Sequence, residues 1–516
     1  MKKYDSGYIR YSLLSGLFSS LVVVFFFSDL LFNEETGTFR TEMLFLLLGL
    51  YCIVYIARVV YSILFVRSSG YALTATEITC RKGVLGRKTS VLPYSKVHAV
   101  NKKQNLLHRL CGIAVLTVDS GATTSAFSAE ITIIEKTAVV DALLDEIKAR
   151  QEGRPVQPLS QEDLHADKEN LYRFSSKLKW VYSALTAVSS LVALVILGVL
   201  ALAVVSILGL VLRSSPDFSL SDALLGVLLV TGLCLVLIGI FSLICGILAS
   251  FVSYHNFTVY KTHADLEISY GLLSRQTNVF KLERIKAVKI QEGPVKRLFG
   301  FVSVGLEVVG YGVESSSEDS GSGKNGNAAP GMLLPLCRAK DLDSILSAIL
   351  PDYVPAPIRH RAKSYRPFVL WSGFWTAFGF CVAACLAVIL LAALGAQAAL
   401  APVLGALVLT LAASLALVAV LGALRYRNAG LTVEPDKLTV QNGTFIRRRT
   451  VIRPKDLIAM ESIATPMQKK RGIASYQIHF FSNALTNSVT VHHLDAGLEK
   501  SLLGQLKDQI AIPRSH

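Results

Sequence analysis

Charged residues are scarce in this chain: they make up 17% of its 516 residues, against 52% hydrophobic. Soluble domains carry about 25% charged residues, so this balance excludes an ordinary soluble protein and points to membrane insertion. Signatures of catalysis are missing too, with no GxSxG, HExxH or GxxxxGKS/T sequence anywhere. The eight cysteines form no CxxC pair; Cys381 and Cys385 lie one helical turn apart in an apolar run and read as packing, not as a disulfide or metal site. His492 and His493 are adjacent, so a strand would turn them to opposite faces, a poor arrangement for a metal. Asp145 and Glu146 fall on an amphipathic helical pattern and read as a solvated face. The expectation is a protein without catalytic residues, metal or cofactor. No aromatic residues interleave with the excess of basic ones, net +15, which argues against nucleic acid as a partner.

What is present is long apolar runs: Ile9 to Phe27, Met43 to Val66, Trp180 to Leu212, Ala223 to Val252, Phe368 to Leu394 and Leu400 to Leu424. Each is long enough for a helix to cross a hydrocarbon core, which takes about 20 residues. The runs fall into three pairs with short connections, so hairpins put every polar region on one face. Lys2, Lys3, Arg10, Arg67, Lys177, Lys179, Arg366, Arg425 and Arg427 flank that face, whereas the first connecting loop is acidic through Asp29, Glu34, Glu35 and Glu42. The positive-inside rule then predicts a multi-pass protein of a bacterial plasma membrane with both termini and all polar regions cytoplasmic. No small-residue cleavage site precedes the acidic loop, so the first run reads as a retained helix. The last four runs hold no ionisable group across their apolar lengths, which places transport second. Arg58 lies near enough to a helix end to snorkel.

The polar regions repeat. With Gly83, Gly271 and Gly443 in register, identical residues recur without a gap at Arg87, Arg275 and Arg447, at Val91, Val279 and Val451, at Ala99, Ala287 and Ala459, and at Gly112, Gly300 and Gly472. The first glycines stand 188 and 172 residues apart, a period that marks triplication of a whole hairpin-plus-module unit. Period-two alternation on both sides of each first glycine predicts a β-hairpin, and each second glycine opens another alternating run. A helical pattern behind acidic residues closes every module: "TAVVDALLDEIKAR", "AKDLDSILSAIL" and "AGLEKSLLGQLKDQI". Several strands and then one helix make an α+β module or a small plugged barrel.

A membrane hairpin, a glycine turn, "LPYSKVHAVNKKQNLLHRLCG" and a closing helix resemble the bacterial pleckstrin-homology-like domain of YdbT-type membrane proteins, over nearly the whole chain. That resemblance implies modules of two small orthogonal β-sheets capped by a C-terminal helix. It also implies a role in envelope homeostasis or in resistance to membrane-active agents, with a smaller membrane protein of similar module as partner. The third copy departs where "TPMQKKRG" replaces "NLLHRLCG". The expected order is a hairpin at 9–66, a module at 68–150, a linker at 151–177, a hairpin at 178–252, a module at 255–353 with a disordered insertion at 314–331, a hairpin at 366–425 and a module at 428–511.

Candidate contacts cluster at the hairpin tips. An apolar residue, Leu85, Leu273 or Phe445, precedes Arg87, Arg275 or Arg447 by two positions, and Arg448 and Arg449 extend the third tip. Such a tip can press its apolar side chain into a bilayer interface while arginine meets lipid phosphate. Lys296 and Arg297 add charge before the second glycine of copy two, with Val288 and Val295 expected to be buried. The reading is a non-enzymatic membrane scaffold or binding protein; the alternatives are a lipid or small-molecule exporter component, and protein recognition along exposed sheet edges.

Overall fold

The computed structural model describes residues 1–26, 41–119, 131–151, 169–186, 188, 220–262, 264–308, 331–393, 400–480 and 487–498. The insertion expected at 314–331 and the closing helix of copy three lie almost wholly outside them, as does most of the run from Trp180 to Leu212.

Copy one starts with β1 (Lys2–Lys3) and the hairpin helices α1 (Gly7–Phe26) and α2 (Thr41–Ser68). There follow β2 (Gly70–Leu73), β3 (Glu77–Lys82), β4 (Lys88–Pro93), β5 (Ala99–Gln104), the one-turn α3 (Leu106–Leu110), β6 (Ile113–Asp119), β7 (Ile131–Lys136) and α4 (Thr137–Gln151). Copy two runs through β8 (Glu169–Arg173), α5 (Leu220–Ser253), β9 (Thr258–Lys261), β10 (Asp265–Tyr270), β11 (Arg275–Lys281), β12 (Ile285–Glu292), α6 (Pro294–Leu298), β13 (Phe301–Val308), β14 (Met332–Arg338) and α7 (Leu342–Ile349). Copy three holds β15 (His360–Arg361), α8 (Arg366–Ala393), α9 (Leu400–Asn428), β16 (Gly430–Val433), β17 (Leu438–Asn442), β18 (Arg447–Ile452), β19 (Leu457–Ile463), α10 (Pro466–Lys470), β20 (Ile473–Phe480) and β21 (Asn487–Asp495). Among the described residues three helices contain segments long and apolar enough to cross a membrane, Leu48–Ser68, Arg366–Leu386 and Leu407–Asn428, while Leu237–Ser253 is a shorter apolar segment.

The aligned glycines share one backbone. Gly83, Gly271 and Gly443 have φ of +114°, +106° and +113°, and a Cβ at any of them would meet a backbone carbonyl at 1.9 or 2.0 Å. No other residue type fits such a turn without displacing the hairpin. The second glycines, Gly112, Gly300 and Gly472, also agree, at φ +68°, +70° and +63°.

Strands of neighbouring copies merge into shared sheets, which was not legible in the alternation. β7-β6-β5 of copy one continue into β11-β10-β9-β8 of copy two, and β14-β13-β12 of copy two continue into β18-β17-β16-β15 of copy three. The outer half-modules stay separate, as β1-β2-β3-β4 and β19-β20-β21. Compact units therefore do not follow the repeats: one takes in Met1–Arg173 and His255–Ile285, the other Phe174–Tyr254, Lys286–Glu307 and Gly331–His516. Each contains one seven-stranded sheet.

The stretch at 151–177, expected to be a linker, contributes β8 to the sheet of copy two, because the strand before each hairpin pairs with the strand after it: Lys3 with Gly70, Asn170 with Tyr260, His360 with Leu431. In the first core, Ile78 and Cys80 of one sheet meet Ile113, Leu116 and Ile133 of the other, and α4 adds Val140, Leu143, Leu144 and Ile147. That three-to-four spacing is the helix stripe expected, although no acidic residue stands in the first turn of α4. In the third hairpin a Cβ at Gly422 would lie 2.5 Å from Val369 Cγ2, so glycine permits the close approach of α8 and α9. Arg58 donates to Ser15 Oγ at 2.9 Å across the first hairpin, a partner that snorkelling alone would not need.

Candidate membrane-facing site

The short helices α3, α6 and α10 fasten each module to the foot of its hairpin. Local chemistry starts them: Asn105 with His108 and Thr465 with Gln468 form capping boxes, and Pro294 follows Gly293 at the first helical position. The third residue of each helix then meets an aromatic group. The His108 ring lies 4.2 Å from that of Tyr11, and Lys296 Nζ lies 5.1 Å from the centre of the Tyr182 ring. In copy three Gln468 Nε2 is 2.9 Å from His493 Nδ1, and the His493 ring stands edge-on to Phe368 at 4.3 Å. Substituting His, Lys and Gln at one position preserves the contact by different means.

Burial sets the charge state here. It pushes Lys296 down to about 8 against the opposing influence of Cys337, and Lys296 donates to Ser303 Oγ at 2.5 Å. It also lowers His493 to about 4, with His492 adding to the shift, and lowers His108, with Lys103 adding. His492 and His493 do not simply face opposite ways: a register shift in β20–β21 and a φ of +63° at His493 bring their rings within 5.9 Å. Among the described residues no group of three or more His, Cys, Asp or Glu side chains is placed to hold a metal.

Outward from these helices stand exposed apolar and basic side chains together: Leu110 with Arg109, Leu298 and Phe299 with Arg297, then Lys469, Lys470 and Arg471. Leu298 is 81% exposed, a state that an interfacial lipid layer would relieve. Of the two valines expected to be buried nearby, Val288 is buried and Val295 half-buried.

The second and third glycine tips lie close to the same region. Leu85 is 98% exposed, and Leu273 and Phe445 are exposed as well, with Arg87 and Arg275 beside them. The second tip is held to the short helix of copy one, where Arg109 Nη1 donates to the Leu272 carbonyl at 3.1 Å and Ser274 Oγ donates to Asn105 Oδ1 at 2.8 Å. The third tip is clamped to the end of α9, where Asn428 Nδ2 donates to the carbonyls of Gly443 and Thr444 at 3.2 and 3.0 Å and Arg425 Nε donates to Thr444 Oγ1 at 2.7 Å.

The arginines of the third tip are not a simple row of surface cations. Arg447 and Arg449 both pair with the buried carboxylate of Glu292 on the neighbouring strand, Arg449 at 2.5 Å. Arg448 lies between them, opposite Gln291. Arg447 also faces a cavity of about 280 Å³, lined by Arg297, Arg361, Tyr426, Arg427, Gln441 and Arg447. Burial pushes the Arg447 guanidinium down; Glu292 opposes that shift, while Arg449 and Arg297 add to it by repulsion. Four guanidinium groups gathered round one cavity at the foot of α9 form a natural receptor for a phosphate or carboxylate. Arg297 and Arg447 were both singled out in the sequence, but Arg361 and Tyr426 come from separate segments, and only β15 and the end of α9 bring them there. The available signal was the run of basic residues flanking the membrane segments.

A family model for the bacterial PH domain matches residues 21–151, 183–349 and 381–511, thus the greater part of each of the three hairpin-plus-module repeats. Over 350 residues the chain is 25% identical to "UPF0699 transmembrane protein YdbT" of Bacillus subtilis (strain 168), a match covering 65% of each protein. The chain therefore spans a little under two thirds of that relative's length. No solved structure matches.

Proposed function

Since the chain belongs to the bacterial PH domain family, as a membrane protein with three copies of that domain, we propose that it is a non-enzymatic scaffold of the plasma membrane that holds anionic lipid headgroups against its modules. In this reading six helices cross the bilayer as three hairpins, and both termini and all modules face the cytoplasm. The observation that carries it is the cavity of Arg297, Arg361, Arg427 and Arg447 at the foot of α9. An anion there relieves the mutual repulsion of the guanidinium groups and accepts charge-assisted hydrogen bonds from them. Exposed Leu298 and Phe299 beside Arg297 support the same orientation, with apolar side chains in the interfacial layer and charge at phosphate level. The role inherited from the resemblance, envelope homeostasis or resistance to membrane-active agents alongside a smaller protein with a similar module, fits a headgroup-holding scaffold.

The test is native mass spectrometry of the full chain released from nanodiscs of mixed phosphatidylglycerol and phosphatidylcholine. Retained phosphatidylglycerol, lost in a variant carrying Arg297→Gln, Arg361→Gln and Arg427→Gln, supports the reading. Equal retention by parent and variant overturns it. Displacement by millimolar inorganic phosphate, with no preference between the two lipids, would instead assign the cavity to a free anion.

A further inference from the structure

Among the edge strands of the described residues are β4, at one end of the first sheet, and β19, at one end of the last. By the repeat register β4 corresponds to β11 and β18, and β19 corresponds to β5 and β12. These are the strands that join at the two internal junctions.

Both junctions have the same register. At the first, Phe280 faces Ala99, Val279 faces Val100 and Asn278 faces Asn101. At the second, Ile452 faces Ala287, Val451 faces Val288 and Thr450 faces Lys289. Translated by the repeat, β4 and β19 would pair Leu92 with Ala459, Val91 with Met460 and Ser90 with Glu461. Size complementarity carries over, because a large residue meets alanine in every case. Charge does as well: Lys88 would lie diagonal to Glu461, within reach across an antiparallel pair. At the second junction the acid Glu292 likewise takes both its direct partner Arg447 and the diagonal Arg449.

Burial shows what the open edges lack. Val279 and Val451 are 5% and 0% exposed within their junctions, whereas Val91, the third member of that column, is 51% exposed. Ala99 and Ala287 are buried but Ala459 is exposed, and Ile458 and Ile463 on the same strand are exposed too. An open edge carrying exposed apolar residues is a template for another strand.

We infer that β4 of one copy of this chain pairs with β19 of a second copy, in the register of the internal junctions, so that the membrane protein assembles head to tail through a third junction formed in trans. The occupant is a second copy because this chain itself supplies the complementary edge, with the matched sizes and the opposed charges. Such an interface is heterologous, so it builds a closed ring or an open row in the membrane plane. The inference stands independently of the arginine cavity, whose residues lie on neither edge.

The experiment uses the full chain in native membranes. Two differently tagged chains are co-expressed, one carrying Val91→Cys and the other Met460→Cys, with the unsubstituted pair as background and Val91→Cys with Ile463→Cys as an out-of-register control. Mild oxidation is expected to link the two tags through the in-register pair alone. In a second measurement, Val91→Lys with Ile463→Lys is expected to convert the assembly to monomer by native mass spectrometry while leaving the melting transition in place, since both positions are exposed. No link in trans overturns the inference, as does a link that forms only when both cysteines occupy one chain. An unsubstituted chain that is monomeric in the membrane, or one that occupies these edges with a different protein, also overturns it.

Discussion

The two internal junctions have identical strand register and different chemistry. The first joins β11 to β5 through uncharged or singly basic partners, with Arg275 opposite Gln104 and Thr277 opposite Lys102. The second places Glu292 against Arg447 and Arg449. Since the register survives the exchange of the acid–base cluster for basic residues facing uncharged ones, the ion pairs do not set it. The shared features are the small-to-large pair at the inner end, the valine pair beside it and the glycine turn that fixes where β11 and β18 begin. Charge at the second junction links it to the arginine cavity through Arg447.

The strongest way to break the comparison is Glu292→Ala. Removing the carboxylate leaves Arg447 and Arg449 next to each other without it, and we expect a loss of about 2–3 kcal/mol, less than for a fully buried pair because the guanidinium side chains are partly exposed. Hydrogen exchange should then rise in β12 and β18 while β5 and β11 stay protected; equal loosening of both junctions would show that the charges hold the whole molecule.

Next comes Val451→Ala, which removes two buried methyl groups and should cost about 2 kcal/mol, whereas Val91→Ala in detergent-dispersed monomer should change stability by under about 0.5 kcal/mol. Thermal melts of the two variants measure how far the same column differs between a closed and an open edge. Gly271→Ala forces a Cβ to within 2.0 Å of the Ser274 carbonyl at a φ of +106° and is expected to cost about 1–2 kcal/mol. Because that tip is bonded to Arg109 and Asn105, the first junction should suffer and the second should not.

A further effect is one of pH. Lys296 has its pKa lowered by burial from 10.5 to about 8, so between those values the folded chain binds fewer protons than the unfolded one. Stability should therefore rise with pH across that window, and Lys296→Met should flatten the rise. A melting temperature whose slope above pH 8 is the same in both proteins would remove Lys296 as its source. His108, lowered below its ordinary value by burial, and Gln468, which carries no proton to lose, do not titrate there, so of the three equivalent positions only Lys296 contributes to the slope.

Much of this was legible in the sequence. Glycines needing positive φ can be replaced by little else, so Gly83, Gly271 and Gly443 kept the register visible through repeats that otherwise diverged. Alternation likewise revealed the hairpins and the buried faces. It says nothing of which strand lies beside which, since a period of two describes the faces of a strand and not its edges. The merged sheets were therefore hidden, as was β1, only two residues long. Within the cavity, Arg361 and Arg427 are 66 residues apart with a membrane hairpin between them, and no local pattern joins them.

The pairing of Lys3 with Gly70 and of His360 with Leu431 ties the order of events at synthesis to the bilayer. A strand made before two helices must wait for its neighbour until both helices have been made, and in the proposed topology until both have entered the membrane. The modules thus complete themselves only after the hairpin between their strands is made, and on the proposed topology a chain stalled during insertion would display solitary strands in place of finished domains.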